Sequence, residues 1–156
     1  MRRVIFVSQR QAESMRPPRA AALISITDPH RPLANLSSNW TAVLRVAFDD
    51  VDAITFPGQD LQLREISADQ VADIAGFIAA EWPRCKRFVV HCRHGVSRSV
   101  AVAKAIAEAS GLWFPPEYNE YNRFVYLALR RPVAYALGAE GAVNRTHMPA
   151  MHSPWS

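Results

Sequence analysis

Cysteine is scarce in this sequence, which has only Cys85 and Cys92 among its 156 residues. Two cysteines cannot build the disulfide framework of a small secreted domain. If the chain between them is extended, the two thiols lie too far apart to bond, because each extended residue spans about 3.3 Å. We therefore expect a reducing, cytoplasmic location, in which a reactive thiol stays usable.

Long apolar runs are also missing. The first segment, MRRVIFVSQR, has only four consecutive apolar residues, far fewer than the apolar core of a secretory signal. No other run approaches the ~20 residues that cross a bilayer, so we expect no membrane partner. Hydrophobic residues make up 49% of the chain and charged residues 21%, which favours one globular domain over disorder.

The excess of positive charge is small and spread out. The formal net charge of +4 suits an anionic ligand. The arginines are distributed along the chain rather than grouped in a patch, which argues against a nucleic-acid partner.

Four short apolar runs predict β-strands bounded by breaker residues. They are VIFV (4–7), AALISI (21–26), AVLRVAF (42–48) and RFVVH (87–91). Helical patterns alternate with them. The first two are a short helix that Ser8 opens and Pro17 stops, and a helix that begins at a capping box of Ser67 and Gln70. The other two are a helix over 98–110 that Gly111 closes, and a helix from Pro115 and Pro116 to about Arg131 with Phe124, Leu127 and Ala128 inward.

This alternation predicts an α/β fold, a single domain with a central, mostly parallel sheet flanked by helices. We expect the domain to span residues 1–137 and residues 138–156 to form an irregular C-terminal tail. Parallel sheets bind ligands at the carboxyl ends of their strands. Cys92 directly follows the strand predicted over 87–91, so it lies at such an end.

The stretch that contains this cysteine is HCRHGVSRS (91–99), between a strand and a helix. A loop of this length can turn successive backbone N–H groups into one concavity, an anion site in front of the helix dipole. Gly95 permits a backbone angle that a side chain would forbid. Arg98, at the first helical position, can bind two oxygens of a tetrahedral anion. The stretch therefore predicts an anion site with Cys92 at its base.

The same positive field favours Cys92 as a thiolate nucleophile. We expect His91 to orient the loop from behind through hydrogen bonds, and Ser99 to donate its hydroxyl to the sulfur. The residues expected to bind the anion are Arg93, His94, Gly95, Val96, Ser97 and Arg98.

Two other interpretations of the stretch fit less well. A nucleotide-binding Walker loop ends in Gly-Lys-Ser/Thr, which is absent here. A zinc site built from Cys85, His91, Cys92 and His94 would be poorly spaced, because adjacent residues on a strand point apart.

HCRHGVSRS resembles the His-Cys-x5-Arg-Ser/Thr signature of the cysteine-dependent protein tyrosine and dual-specificity phosphatases. The segments ISITDPHRPL, VLRVAFDDVD, FIAAEW and VVHCRHGVSRSVAVAKAIA are similar to the small bacterial members, and the resemblance covers roughly residues 4–130. It implies the phosphatase fold, a phosphocysteine intermediate, and no metal or other cofactor. The mid-chain position of Cys92 argues against the low-molecular-weight branch, which carries its cysteine near the N-terminus.

The resemblance also implies a general acid, an aspartate upstream of the cysteine that protonates the leaving oxygen. The candidates are Asp49, Asp50, Asp52, Asp60 and Asp69. Asp69 lies in the first turn of a predicted helix, where it stabilises the helix dipole instead. Asp60 precedes Cys92 by 32 residues, a separation common in the family. Asp49 and Asp50 follow the third predicted strand in a Phe-x-Asp pattern, and we choose Asp50, with Asp60 second.

The function expected from these residues is metal-independent hydrolysis of phosphotyrosine or a similar phosphomonoester, in a protein or another phosphorylated molecule. His94, two residues after the nucleophile, also resembles the RNA 5′-triphosphatase branch, so RNA ends and other non-protein phosphates stay open as substrates. A related C-x5-R enzyme for sulfur transfer or arsenate reduction is an alternative, although Cys85 is badly placed to act as a resolving cysteine. A further alternative is a module that binds phosphate groups with little catalytic activity.

Overall fold

The computed structural model describes residues 1–58 and 62–138, and four strands within them form one sheet. The strands are β1 (Arg3–Ser8), β2 (Ala21–Thr27), β3 (Ala42–Ala47) and β4 (Arg87–Cys92). Their order across the sheet is β1-β4-β2-β3, and every neighbouring pair is parallel. The predicted single α/β domain with a parallel sheet is confirmed, and each strand begins and ends within one residue of its predicted bounds.

The helices of the described residues are α1 (Gln9–Ser14), α2 (Ala68–Glu81), α3 (Arg98–Ser110) and α4 (Arg123–Ala136). The predicted capping box of α2 is present, because the Ser67 hydroxyl accepts from Gln70 N–H while the Gln70 side chain accepts from Ser67 N–H. Gly111 ends α3 in the left-handed conformation, with φ +67°. Among these helices none is both long and apolar enough to cross a membrane.

The prediction for the last helix was wrong at both ends. α4 begins at Arg123 rather than at Pro115, because the Asn122 side chain caps it by accepting a hydrogen bond from Val125 N–H at 3.0 Å. It also continues past Arg131 and through Pro132 to Ala136.

The predicted inward face of α4 was partly wrong. Phe124 and Ala128 are buried as expected, whereas Leu127 is 43% exposed. The buried residues of the helix are Phe124, Val125, Ala128, Leu129 and Val133, and Leu127 lies opposite the arc that they form at 100° per residue.

The sheet buries side chains on both of its faces. Along β2, Ile24 and Ile26 pack into the largest apolar cluster, together with side chains of α2, α3 and α4. Leu23 instead packs on the opposite face with Val89 and Trp40. This alternation fixes the register of the sheet, because a shift by one residue would exchange the two faces.

The four strands end at a common edge of the sheet. Ser8 pairs with Cys92, and Thr27 pairs with Ala47, so the segments that follow the strands begin side by side. The loop from Cys92 to Arg98 therefore starts between the ends of β1 and β2. The predicted irregular tail, apart from Gly138, lies outside the described residues.

Pro132 is expected to cost stability, because it has no N–H to donate to the carbonyl of Ala128 one turn earlier in α4. Replacement by alanine restores that hydrogen bond, and we expect Pro132→Ala to raise the free energy of unfolding by about 1–3 kcal/mol in urea denaturation. Pro116→Ala, outside the helices, serves as the control and should give no gain. An unchanged or lowered midpoint for Pro132→Ala would contradict this account of the helix.

Candidate active site

The loop between β4 and α3 lies against the junction of β1 and α1. Gly95 has φ +70°, and a Cβ built on it would lie 2.6 Å from Ser8 N and 2.6 Å from Val7 C. Any side chain at this position would therefore need both a disfavoured backbone angle and a displacement of β1. The positive φ agrees with the expectation that Gly95 adopts a backbone angle that a side chain would forbid.

The carbonyl groups of the loop are held from outside. Three of them accept hydrogen bonds: Arg93 from the Gln9 N–H at 3.3 Å, Val96 from the Tyr118 hydroxyl at 2.7 Å, and Ser97 from the Asn122 N–H at 3.2 Å. Since C=O and N–H of one trans peptide point in opposite directions, the N–H groups of His94, Ser97 and Arg98 point away from these contacts. Within the described residues, the N–H groups of residues 94–98 donate to no backbone carbonyl. They are available to an anion.

Cys92 lies at the base of this loop and is 3% exposed. Its Sγ is 3.1 Å from the Ser99 Oγ, which lies in the first turn of α3 and is fully buried. A hydroxyl in this position can donate to a thiolate and stabilise it as a leaving group. The pair matches the geometry that the sequence predicts for Cys92 and Ser99.

His91 lies behind the loop, fully buried within β4. Its Nε2 is 2.6 Å from the Ser25 Oγ of β2, and its Nδ1 is 3.4 Å from the Cys92 carbonyl oxygen. Burial lowers the pKa of His91, so the ring is neutral near pH 7. The imidazole thus links β2 to the backbone of the cysteine, as expected of a residue that orients the loop from behind.

Arg98 begins α3 and is only 4% exposed. Its Nη1 donates to the Phe48 carbonyl oxygen at 2.6 Å and lies 2.9 Å from an Asp28 carboxylate oxygen. Its Nε is buried and has no hydrogen-bond partner among the residues that the structure describes. This nitrogen is a hydrogen-bond donor that an oxyanion can satisfy.

Asp50 lies beside the loop, and its carboxylate is exposed to solvent. Its Oδ1 accepts from the Ser97 hydroxyl at 2.8 Å and from the Asn122 amide at 2.8 Å. Both donors meet the same oxygen, so the Asp50 carboxylate is tied to the cysteine loop and to the residue that precedes α4. Among the aspartates proposed from the sequence, Asp50 lines the cavity that contains Cys92.

The other candidate aspartates have structural partners or lie elsewhere. The Asp49 carboxylate accepts from the Arg64 N–H at 2.8 Å. Asp52 is buried, and although burial raises its pKa, hydrogen bonds from backbone N–H groups outweigh that effect and hold the pKa below its usual value. Asp69 lies in the first turn of α2, as predicted. Asp60 lies outside the described residues.

Two neighbouring cavities meet at Asp50 and Ser97. The first, of about 300 Å³, is lined by Asp50, Cys92, His94, Val96, Ser97 and Arg98. The second, of about 390 Å³, shares Asp50 and Ser97 with the first and continues toward Phe56, Tyr121 and Arg123. The side chain of Asp50 thus stands between the cysteine cavity and a second space.

Sequence reasoning missed several residues that contact this site, among them Asn122, Asp28 and Tyr118. Asn122 binds the carboxylate of Asp50 and also donates to the Val51 carbonyl oxygen at 2.9 Å. Asparagine is a preferred N-cap residue, and Asn122 precedes a periodic apolar run, so the sequence contains a signal for this helix start. Asp28 follows β2 directly, so the argument from strand ends that selected Asp50 applies to it equally. Tyr118, whose pKa is raised mainly by burial, keeps its proton and donates to the loop; no local pattern marks it.

The close approach at Gly95 predicts that Gly95→Ala displaces the loop. We expect hydrolysis of an aryl phosphate by the variant to fall about 100-fold or more, since displacements near 1 Å suffice for such a loss. Binding of inorganic phosphate should fall with it. Gly76→Ala on α2 is the matched control, because a Cβ there meets nothing within 4 Å. Parent-like phosphate binding by Gly95→Ala would show that the loop does not depend on this contact.

Comparisons with known proteins were made against family models, curated proteins and solved structures. No family model and no curated protein matches the chain. Among solved structures, the crystal structure of Tk-PTP in the active form is similar at 16% sequence identity with a TM-score of 0.46, and the match covers 98% of this chain and 86% of that one. The assignment of function therefore depends on the geometry of the site.

Proposed function

We propose that this protein is a metal-independent phosphomonoester hydrolase that acts through a phosphocysteine intermediate, as a protein tyrosine or dual-specificity phosphatase. The observation that carries the proposal is the position of the Cys92 thiol, 3.1 Å from the Ser99 hydroxyl, in one cavity with Arg98 and Asp50. A nucleophile, an anion clamp and a carboxylic acid are the groups that such hydrolysis needs.

In the first step the Cys92 thiolate attacks phosphorus, and the bond from phosphorus to the leaving oxygen breaks. Asp50 gives its proton to that oxygen, so the alcohol leaves neutral. Backbone N–H groups of residues 94–98 and the Arg98 guanidinium bind the oxygens of the phosphoryl group, whose charge spreads in the transition state. The products of this step are phosphocysteine and the Asp50 carboxylate.

In the second step water attacks the phosphocysteine. The Asp50 carboxylate takes a proton from the water as the new oxygen–phosphorus bond forms and the sulfur–phosphorus bond breaks. The Ser99 hydroxyl donates to the departing sulfur and stabilises the thiolate. Inorganic phosphate leaves, and both Cys92 and Asp50 return to their starting protonation states.

The second cavity favours a substrate larger than a single phosphorylated ring. It begins at Asp50, the residue that faces the leaving oxygen in this proposal, so the rest of the leaving group extends into it. Phe56 and Tyr121 offer aromatic surface, while Asn119 and Arg123 offer polar contacts. Such a mixed surface suits residues of a polypeptide that flank a phosphorylated side chain.

The alternative of arsenate reduction has less support. That chemistry needs a second cysteine to resolve the intermediate, and Cys85 lies before the start of β4 whereas Cys92 ends it. Residues 86–91 separate them, five of them in β4, which corresponds to roughly 20 Å of extended chain. Cys85 is also fully buried, and burial raises the pKa of its thiol.

We expect Cys92→Ser to abolish hydrolysis of an aryl phosphate, because the serine hydroxyl is a poor nucleophile. Inorganic phosphate should still bind, because the donors of the site are largely backbone N–H groups. The parent chain should be equally active with and without a chelator. Cys85→Ser is the matched control and should keep its activity. Turnover by Cys92→Ser near the parent rate, or loss of parent activity on chelation, would overturn the proposal.

Asp50→Asn should lower turnover by about 10²–10⁴ for an alkyl-like phosphate. The loss should be much smaller for an activated aryl phosphate, whose leaving group departs without a proton. The basic limb of its pH–rate profile should flatten, because the acid must be protonated in the first step.

Two further variants test the choice of this aspartate. Asp49→Asn is the matched control, since the new amide oxygen can still accept from Arg64 N–H. Asp60→Asn tests the spacing that is common in the family. If the dependence on leaving group appears in Asp60→Asn and not in Asp50→Asn, the acid is Asp60.

A further inference from the structure

Asp28 directly follows β2, at the edge of the sheet where the cysteine loop begins. One of its carboxylate oxygens lies 2.9 Å from Arg98 Nη1, and the other lies 3.3 Å from Arg31 Nε and 4.0 Å from Arg93 Nη1. The Asp28 side chain is 20% exposed, while Arg31 and Arg93 are about half exposed. Its contact with the buried Arg98 is therefore the one that solvent screens least.

The Arg98 guanidinium is held at one corner only. Nη1 carries two hydrogens, and the two acceptors near it are the Asp28 carboxylate and the Phe48 carbonyl oxygen at 2.6 Å. These acceptors come from the ends of two different strands, β2 and β3. Because the guanidinium is planar and rigid, fixing Nη1 sets the direction of the whole group.

The opposite edge of the guanidinium carries Nε and Nη2, whose N–H bonds are parallel and can bind two oxygens of one anion. Nε is buried and has no partner in the described part of the chain. Arg98 also lines the cavity that contains Cys92. The edge left free by Asp28 and Phe48 is thus the one suited to a bidentate contact with a phosphoryl group.

We propose that Asp28 is a positioning residue that, together with the Phe48 carbonyl, fixes Nη1 of Arg98 and presents the Nε/Nη2 edge to an oxyanion beside Cys92. The inference rests on the proposed function for the identity of the anion, but not for the orientation of the guanidinium. We do not assign Asp28 as the acid, because both of its oxygens contact guanidinium groups and it does not line the cavity that contains Cys92.

The catalytic test compares Asp28→Ala, Asp28→Glu and the control Arg31→Ala, which removes an exposed partner of Asp28 and leaves Arg98 paired. We expect Asp28→Ala to weaken binding of inorganic phosphate about 10-fold or more and to lower kcat/KM by a similar factor for activated aryl and alkyl-like phosphates alike. Asp28→Glu should recover part of the loss, and Arg31→Ala should match the parent. A loss confined to the alkyl-like phosphate would make Asp28 the acid and overturn the proposal.

A second measurement is independent of activity. In ¹⁵N NMR spectra, a guanidinium held at Nη1 rotates slowly about its Nε–Cζ bond, so Arg98 should show distinct Nη signals in the parent and in Arg31→Ala. These signals should merge in Asp28→Ala. Unchanged Arg98 signals in Asp28→Ala would overturn the proposal. A parent chain that shows the distinct signals yet neither binds nor hydrolyses phosphate would instead overturn only the proposed function.

Discussion

The burial of the Arg98 guanidinium is the constraint on which the site depends. A cation that is 4% exposed must find charged or polar partners, since the cost of taking it out of water is large. Two partners come from the ends of neighbouring strands, the Phe48 carbonyl and the Asp28 carboxylate. They account for one nitrogen, and the buried Nε remains for an anion. The way the charge is buried thus favours the oxyanion ligand that we propose.

The conformation of the cysteine loop depends on hydrogen bonds to its backbone. Three of its carbonyl oxygens accept hydrogen bonds from α1, from Tyr118 and from the residue that caps α4. The N–H groups of the same peptides, those of His94, Ser97 and Arg98, point in the opposite direction. Gly95 makes this possible, because only a residue without a side chain can approach the Val7–Ser8 peptide so closely.

Asn122 links the fold to the proposed chemistry. One end of its amide caps α4, and the other donates to the carboxylate of Asp50 and to the Val51 carbonyl. The position of Asp50, the acid in our proposal, therefore depends on where α4 begins. The error in predicting that helix and the failure to anticipate this contact have a single origin. The proline pair predicts a helix start at Pro115, whereas the asparagine seven residues later provides the actual cap.

Within residues 1–58 and 62–138, the sequence by itself determined the four strands, three of the four helices and the strand–loop–helix setting of Cys92. Those features follow from local causes: apolar periodicity, caps, and the few residues that tolerate special backbone angles. The pairing of Cys92 with Ser99 was also predictable, because both lie within one short segment. Only the tertiary structure decided the partners of Arg98 and Asp50, since Asp28, Phe48 and Asn122 come from distant segments. Those contacts depend on the order β1-β4-β2-β3, which no local pattern specifies because it is set by how the helices and strands pack together.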